Sequence, residues 1–365
     1  MTWGNPHTLV ERLAIKLLSP LTLPYQGVID LRQLAYKNQL LSSSRLSKPV
    51  ISVGNLSVGG TGKTPIIIDL ANRLIANNIK VGILTRGYKR SNATSCTVVG
   101  DGHNNFASIE ESGDEPLMMA RMLPKAVVIA NKDRFIAGQK AISKYDCEIL
   151  LLDDGFQHLP LERDYDIVLL DYDCPPWNDT LLPVGSLREP GSALKRAQHV
   201  VITKIPSAFE QAKIDKFKSF VWQYSPSCKI SLCRFQPVSI EQEINEQPIQ
   251  SSLDKIKGLP VIIFSGIAKP YGFKQTVLSL GANILKVVEY DDHYNYSVKD
   301  IEQLEALRKS KGAEYFLTTA KDMVKLSNSP INSRLMAINL QTQWIGEPFD
   351  LISLIKLCNM QYRTI

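Results

Sequence analysis

The sequence predicts an α/β protein: a parallel-sheet core, a second and smaller α/β lobe, and an amphipathic helix ahead of both. Three observations carry this. From residue 50 onward, short apolar runs rich in β-branched residues alternate with helical patterns, the signature of a parallel sheet with crossover helices. The alternation pauses over 236–257, where Gln, Glu, Ser and Pro dominate, and resumes at 260. Residues 8–19 separate into an apolar and a polar face on a helical wheel. A length of 365 residues, 44% hydrophobic and 21% charged, suits about two domains and excludes a disordered or fibrous chain.

At the N-terminus, Leu9, Val10, Leu13, Ala14, Leu17 and Leu18 share one helical face; Thr8, Glu11, Arg12, Lys16 and Ser19 share the other, with Ile15 the exception. Pro20 and Pro24 are expected to limit this helix. Residues 1–48 carry six basic and two acidic side chains, so +4 of the chain's net +6 sits there. A basic amphipathic helix suits an anionic membrane surface, although the same face would also pack on a core. The near-neutral remainder argues against nucleic acid. No apolar run approaches the ~18 residues of a spanning helix. Glu11, Arg12 and Lys16 interrupt any signal-peptide core. Six scattered cysteines without a paired motif point to a reducing compartment. The expectation is a cytoplasmic protein attached peripherally to a membrane.

Core strands are expected at 50–53, 80–84, 126–130, 148–152, 166–171 and 199–203, with helices at 64–77 and 134–144. In the second lobe strands are expected at 260–265, 284–290, 315–319 and 335–340. Ser297 and Asp300 form a capping-box-like helix start there. The organisation is a membrane-associating segment (1–30), a core (31–235), a linker or hairpin (236–258), a smaller lobe (259–345) and a C-terminal helix that returns to the core (346–365).

The stretch VISVGNLSVGGTGKTPI, 50–66, runs a strand through a Gly-rich turn into a helix with Pro65 in its first turn. Backbone N–H groups of Ser57, Val58, Gly59, Gly60, Thr61 and Gly62 would cradle phosphates at the positive end of the helix dipole. Lys63 would reach the β- and γ-phosphates and the Thr64 hydroxyl would ligate Mg²⁺. Ser57 stands where the general phosphate-loop pattern has Gly. The run EILLLDDGFQH, 148–158, then places Asp153 and Asp154 at the end of a buried parallel strand, the edge where open α/β sheets bind ligands. These carboxylates are the expected metal partners. The core thus reads as P-loop NTPase-type. Asn131-Lys132 and Thr203-Lys204 both lack the Asp of a guanine motif, which favours ATP over GTP.

Five segments, GNLSVGGTGKTP (54–65), TRGY (85–88), GDEP (113–116), DDGFQH (153–158) and GSLREP (185–190), together resemble the tetraacyldisaccharide 4'-kinase family, the lipid A biosynthesis kinases of Gram-negative bacteria. The resemblance spans roughly residues 10–355 and absorbs the departure at Ser57. It implies transfer of the ATP γ-phosphoryl group to the 4'-hydroxyl of a tetraacylated glucosamine disaccharide 1-phosphate, with Mg²⁺, at the cytoplasmic face of the inner membrane. By match to the family, Asp114 and His293 would be a catalytic dyad in which the carboxylate takes the hydroxyl proton and the imidazole orients it. Arg86, Glu115, Arg134, Gln157, His158 and Arg188 would be substrate or phosphate ligands. Asp291 stands where the family usually has Pro, and Ala320 where it has Glu.

From the residues alone Asp114 reads first as a helix-start carboxylate, the commoner use, and His293 as a solvated loop histidine. Rival readings are another P-loop small-molecule kinase or ligase, and a membrane-recruited ATPase switch whose acceptor is water.

Overall fold

A computed structural model describes residues 17–350 apart from 89, 92–93, 245–246, 328 and 348. The expected apolar runs become β1 (Val50–Asn55), β2 (Val81–Thr85), β4 (Val127–Ala130), β5 (Ile149–Asp153), β6 (Tyr165–Asp171) and β7 (His199–Thr203), with β3 (Thr97–Asp101) added at the edge. They pair in the order β7-β6-β1-β5-β2-β4-β3, all parallel except β3, which runs antiparallel to β4. Helices cover both faces, which is why the central strands are buried almost without a break and are mostly apolar. On one face, Ile66, Ile67, Leu70 and Leu74 of α2 (Lys63–Ala76) pack on Ile51, Val53, Ile149 and Leu151. On the other, Ala137 and Ala141 of α5 (Arg134–Tyr145) meet Leu84, Leu150 and Leu152.

The stretch expected as a linker or hairpin is a hairpin built into the sheet. β8 (Lys229–Ile244) runs parallel to β7, and β9 (Gln247–Ser251) folds back on its far end. Its polar composition reflects ladder hydrogen bonding rather than freedom: Gln242 is buried and accepts a hydrogen bond from Lys255. β8 also pairs antiparallel with β13 (Leu335–Ile345), which continues into β12 (Tyr315–Thr319), β10 (Pro260–Ser265) and β11 (Asn283–Glu289), all parallel. A single sheet therefore runs through both halves of the chain.

Helical structure in the N-terminal region continues past both prolines. A 3-10 turn, Ser19–Leu21, leads into α1 (Thr22–Lys37), so the segment does not end near residue 30. Pro20 and Pro24 each stand in a first turn, where a missing N–H costs no hydrogen bond. Most of the expected 8–19 helix, and residues 351–365 of the expected C-terminal helix, lie outside the described residues. Beside α1, α2 and α5, the remaining α-helices among the described residues are α3 (Ile109–Ser112), α4 (Asp114–Met122), α6 (Gln211–Tyr224), α7 (Pro270–Ser279), α8 (Val298–Lys311) and α9 (Ala320–Met323). Ser297 and Asp300 form the predicted capping box of α8.

Gly54, in β1 just before the phosphate loop, has no room for a side chain. A Cβ there would lie 2.5 Å from the Phe156 Cβ and 2.9 Å from its backbone nitrogen. Gly54→Ala should therefore destabilise the protein by about 1–3 kcal/mol, measured as a lower urea midpoint.

Candidate active site

The C-terminal ends of β2 and β5 open into a cleft of about 1350 Å³ whose other wall carries the ends of β11 and β12. Gly59–Thr64 lies on its floor. Gly59 and Gly62 have φ of +104° and +94°, a region that favours glycine, and α2 starts directly after Gly62. At Gly62 a Cβ would strike the Phe235 ring, an aromatic wall contributed by β8. The loop is braced from behind: the Thr203 hydroxyl donates to the Thr61 carbonyl at 2.8 Å, and Lys204 Nζ donates to the Gly60 carbonyl and to Asp171. Thr203-Lys204, the near-miss guanine motif, is thus a loop brace. Ser57 and Val58 do not line the cleft: the Val58 N–H donates to the Ser186 carbonyl at 2.7 Å, and Ser57 forms a β-bridge with Leu187, which tethers this end of the loop to the 185–190 segment.

Lys63 Nζ stands 3.3 Å from Asn55 Oδ1 and 3.4 Å from Asp154 Oδ1. Arg188 grips the other Asp154 oxygen at 2.7 Å. Burial pushes the Asp154 carboxyl up, but Lys63 and Arg188 outweigh it and hold its pKa below the ordinary value. Asp153 differs. Burial, then the nearby Glu115 and Asp154 carboxylates, push its pKa up to about 7, while the Thr85 hydroxyl donates to it at 3.0 Å. Such crowding of negative charge is what a divalent cation relieves, and Thr64, Asp153 and Asp154 all line or edge the cleft. Among the described residues no three His, Cys, Asp or Glu side chains gather into a metal cage.

Across the cleft, Asp114 opens α4, with Gly113 rather than a side chain at the cap position. His293 lies in the turn after β11 at φ +59°, its N–H bonded to the Gly266 carbonyl at 3.1 Å. The two, 179 residues apart, meet at 2.8 Å between His293 Nδ1 and Asp114 Oδ2. Lys325 Nζ sits 3.1 Å from the same carboxylate oxygen. Lys321 Nζ approaches His293 Nε2 at 3.1 Å and Glu115 at 3.3 Å. Burial raises the Asp114 carboxyl pKa, but the His293 hydrogen bond and the Lys321 and Lys325 charges overcome it, leaving the group well below the usual carboxylate range. The Tyr88 ring meets the imidazole edge-on at 5.4 Å.

Of the remaining expected residues, Arg86 and Glu115 line the cleft beside these groups. Arg134, Gln157 and His158 do not line it. Arg134 is buried in the first turn of α5 and donates to the Lys132 carbonyl at 3.0 Å; burial pulls its pKa down against the opposing pull of Asp153. Gln157 Nε2 donates to the Asn55 carbonyl at 3.0 Å, and its own carbonyl receives Arg32 of α1 at 3.3 Å. His158 is driven down to about 4 by burial and the Arg134 and Arg163 charges, so it is neutral at pH 7. Lys321, which directly follows the departure at Ala320, and Lys325 are not among the residues expected at the site. The available signal was their four-residue spacing, which puts two cations on one side of a helical turn.

The family model for "Tetraacyldisaccharide-1-P 4'-kinase" matches residues 14–356. The chain belongs to this family. The curated tetraacyldisaccharide 4'-kinase of Geobacter metallireducens is 37% identical over 327 residues, covering 90% of this chain and 92% of that one. The Pelobacter propionicus enzyme of the same name is 38% identical over 325 residues, covering 88% and 86%. Among solved structures, LpxK from Aquifex aeolicus in complex with ATP superposes with a TM-score of 0.75 at 32% identity, covering 96% of this chain and 99% of that one. A tetraacyldisaccharide 4'-kinase is an ATP-dependent enzyme, and the cleft between phosphate loop and Asp114–His293 pair is its candidate active site.

Proposed function

We propose that the protein transfers the γ-phosphoryl group of ATP to the 4'-hydroxyl of a tetraacyldisaccharide 1-phosphate, with Mg²⁺ and with the Asp114–His293 pair accepting the hydroxyl proton. The observation that carries this reading is the pair itself, 2.8 Å apart and lining the same cleft as Gly59–Thr64. An alcohol attacking a phosphoryl group must lose its proton, and this pair lines the cleft where it can take it. The ionised Asp114 accepts from Nδ1–H, which fixes the ring and leaves Nε2 as its basic nitrogen. The pair therefore takes the proton as a unit, a broader role than orientation alone. Lys63, Arg188 and the N-terminus of α2 supply positive charge for the phosphates. Thr64, Asp153 and Asp154 would hold Mg²⁺, which would supply positive charge against the charge that develops on the transferring phosphate.

Purified protein should turn over ATP slowly alone and at least about tenfold faster with the acylated disaccharide, and chelation of Mg²⁺ should abolish both. Fast turnover without acceptor would point to the ATPase switch.

Peripheral attachment to the cytoplasmic face of the inner membrane is part of the same reading. Leu23, Val28 and Leu31 of α1 are 75%, 64% and 68% exposed, and no residue of α1 is buried. The opposite side of α1 is tied to the core: Tyr25 donates to the Arg188 carbonyl at 3.1 Å and Gln33 to Glu189 at 2.9 Å. An apolar row facing outward beside the site entrance supports docking on lipid. Among the described residues no helix is long and apolar enough to span a membrane. Replacing Leu23, Val28 and Leu31 together with Gln should reduce sedimentation with anionic vesicles several-fold and leave ATP binding intact. Unchanged sedimentation would return α1 to a purely structural role.

A further inference from the structure

The Asp114–His293 pair is held inside a buried chain of charges that its role as proton acceptor does not by itself require. Asp322, in α9, is fully buried, and its Oδ2 accepts from the Gly266 N–H at 3.0 Å and the Thr319 hydroxyl at 2.8 Å. Its Oδ1 lies 3.4 Å from Lys325 Nζ, which also donates to the Tyr294 carbonyl at 3.1 Å. Lys325, its side chain only 6% exposed, spends its remaining contact on Asp114 at 3.1 Å. Four residues earlier, Lys321 sits on the far ring nitrogen of His293. Gly266, which fixes Asp322 through its N–H, fixes His293 through its carbonyl. One frame, the end of β10 together with α9 and the turn that follows it, thus aims two cations at the two ends of the pair.

We propose that Lys325 is a positioning residue for phosphoryl transfer, the fixed counter-charge that keeps the buried Asp114 carboxylate ionised and turned toward His293, with Lys321 holding the opposite ring nitrogen. This rests on the reading of the pair as proton acceptor. A carboxylate this enclosed gains a proton unless a cation or donors offset its lost hydration. The groups facing it are Lys321 and Asp322 from α9, Lys325 from the turn that follows α9, His293 and Asp292 from the turn after β11, Glu115 from α4, and Tyr88 from the loop after β2. With Lys325 removed, Lys321 and the imidazole alone face Asp114, Glu115, Asp292 and Asp322. The local charge turns more negative and the pair binds a proton more readily. Activity that needs the unprotonated pair is then lost at higher pH.

The test is the pH profile of kcat/KM for the tetraacyldisaccharide acceptor in the full-length protein. Lys325→Met should move the acid limb upward by roughly one unit or more, lower kcat, and leave KM for ATP within about twofold. Lys325→Arg, which restores the charge, should return the limb toward its original position. Lys321→Met, at a less enclosed site, should shift it the same way by less, and serves if Lys325→Met fails to fold. An acid limb unmoved in the folded variants, with Asp114→Asn nearly inactive, overturns the lysine assignment alone. Near-normal activity in Asp114→Asn overturns the proton-acceptor reading beneath it.

Discussion

Lys63→Ala should lower kcat by roughly 10³-fold, the loss expected when a preorganised charge on the transferring group is removed. The side chain leaves the first residue of α2 and is already aimed by Asn55 and Asp154 at 3.3 and 3.4 Å, so little reorganisation precedes its use. The fold should survive. Arg188 still pairs with Asp154 at 2.7 Å, and the loop keeps its braces from Thr203 and Lys204. Rate measurements with saturating ATP and acceptor, beside a thermal melt, separate the two effects. Near-normal rates would remove the phosphate-loop assignment, whereas a collapsed melt would show a structural role.

Asp114→Ala should lower kcat by about 10²-fold or more, the usual loss when general-base assistance disappears. His293→Ala should cost a similar factor, and the double variant little more than either single one, because residues that act as a unit do not add. The Asp114 carboxyl is held well below the usual carboxylate range, so it is ionised throughout neutral pH. Its removal is therefore not recovered by raising pH. Additive losses would contradict a proton-accepting unit, and an unchanged kcat would return Asp114 to the helix start it also occupies, where Oδ1 accepts the Glu115 N–H at 2.9 Å.

Much of the fold is legible because its strands are buried on both faces. β1 and β5 are buried along their whole length and mostly apolar, and their ends in structure lie within two residues of the ends read from composition. β3 escaped because TVVGD is short and only half covered at the sheet edge. β8 escaped because its second half is polar. Such a segment becomes a strand through pairing with β13 and β9, which are distant or unformed when residues are read singly. The site divides the same way. Gly59–Thr64 and Asp153–Asp154 are legible locally, since a Gly-rich turn between strand and helix and carboxylates at a strand end carry their own geometry. The meeting of Asp114 with His293 is tertiary, and only the family resemblance joined them. Lys325 left no mark, because a lysine in a helical turn is ordinarily solvated and only its enclosure beside Asp322 and Asp114 makes it unusual.

The proposed phosphate acceptor is a lipid alcohol rather than water. The most direct measurement incubates the purified protein with Mg²⁺, γ-labelled ATP and a tetraacyldisaccharide 1-phosphate in mixed micelles, and locates the label in the products. One labelled phosphate ester on the 4'-oxygen is expected for each ATP consumed, and none with Lys63→Ala. Label recovered as free phosphate, with the disaccharide unchanged, would contradict it.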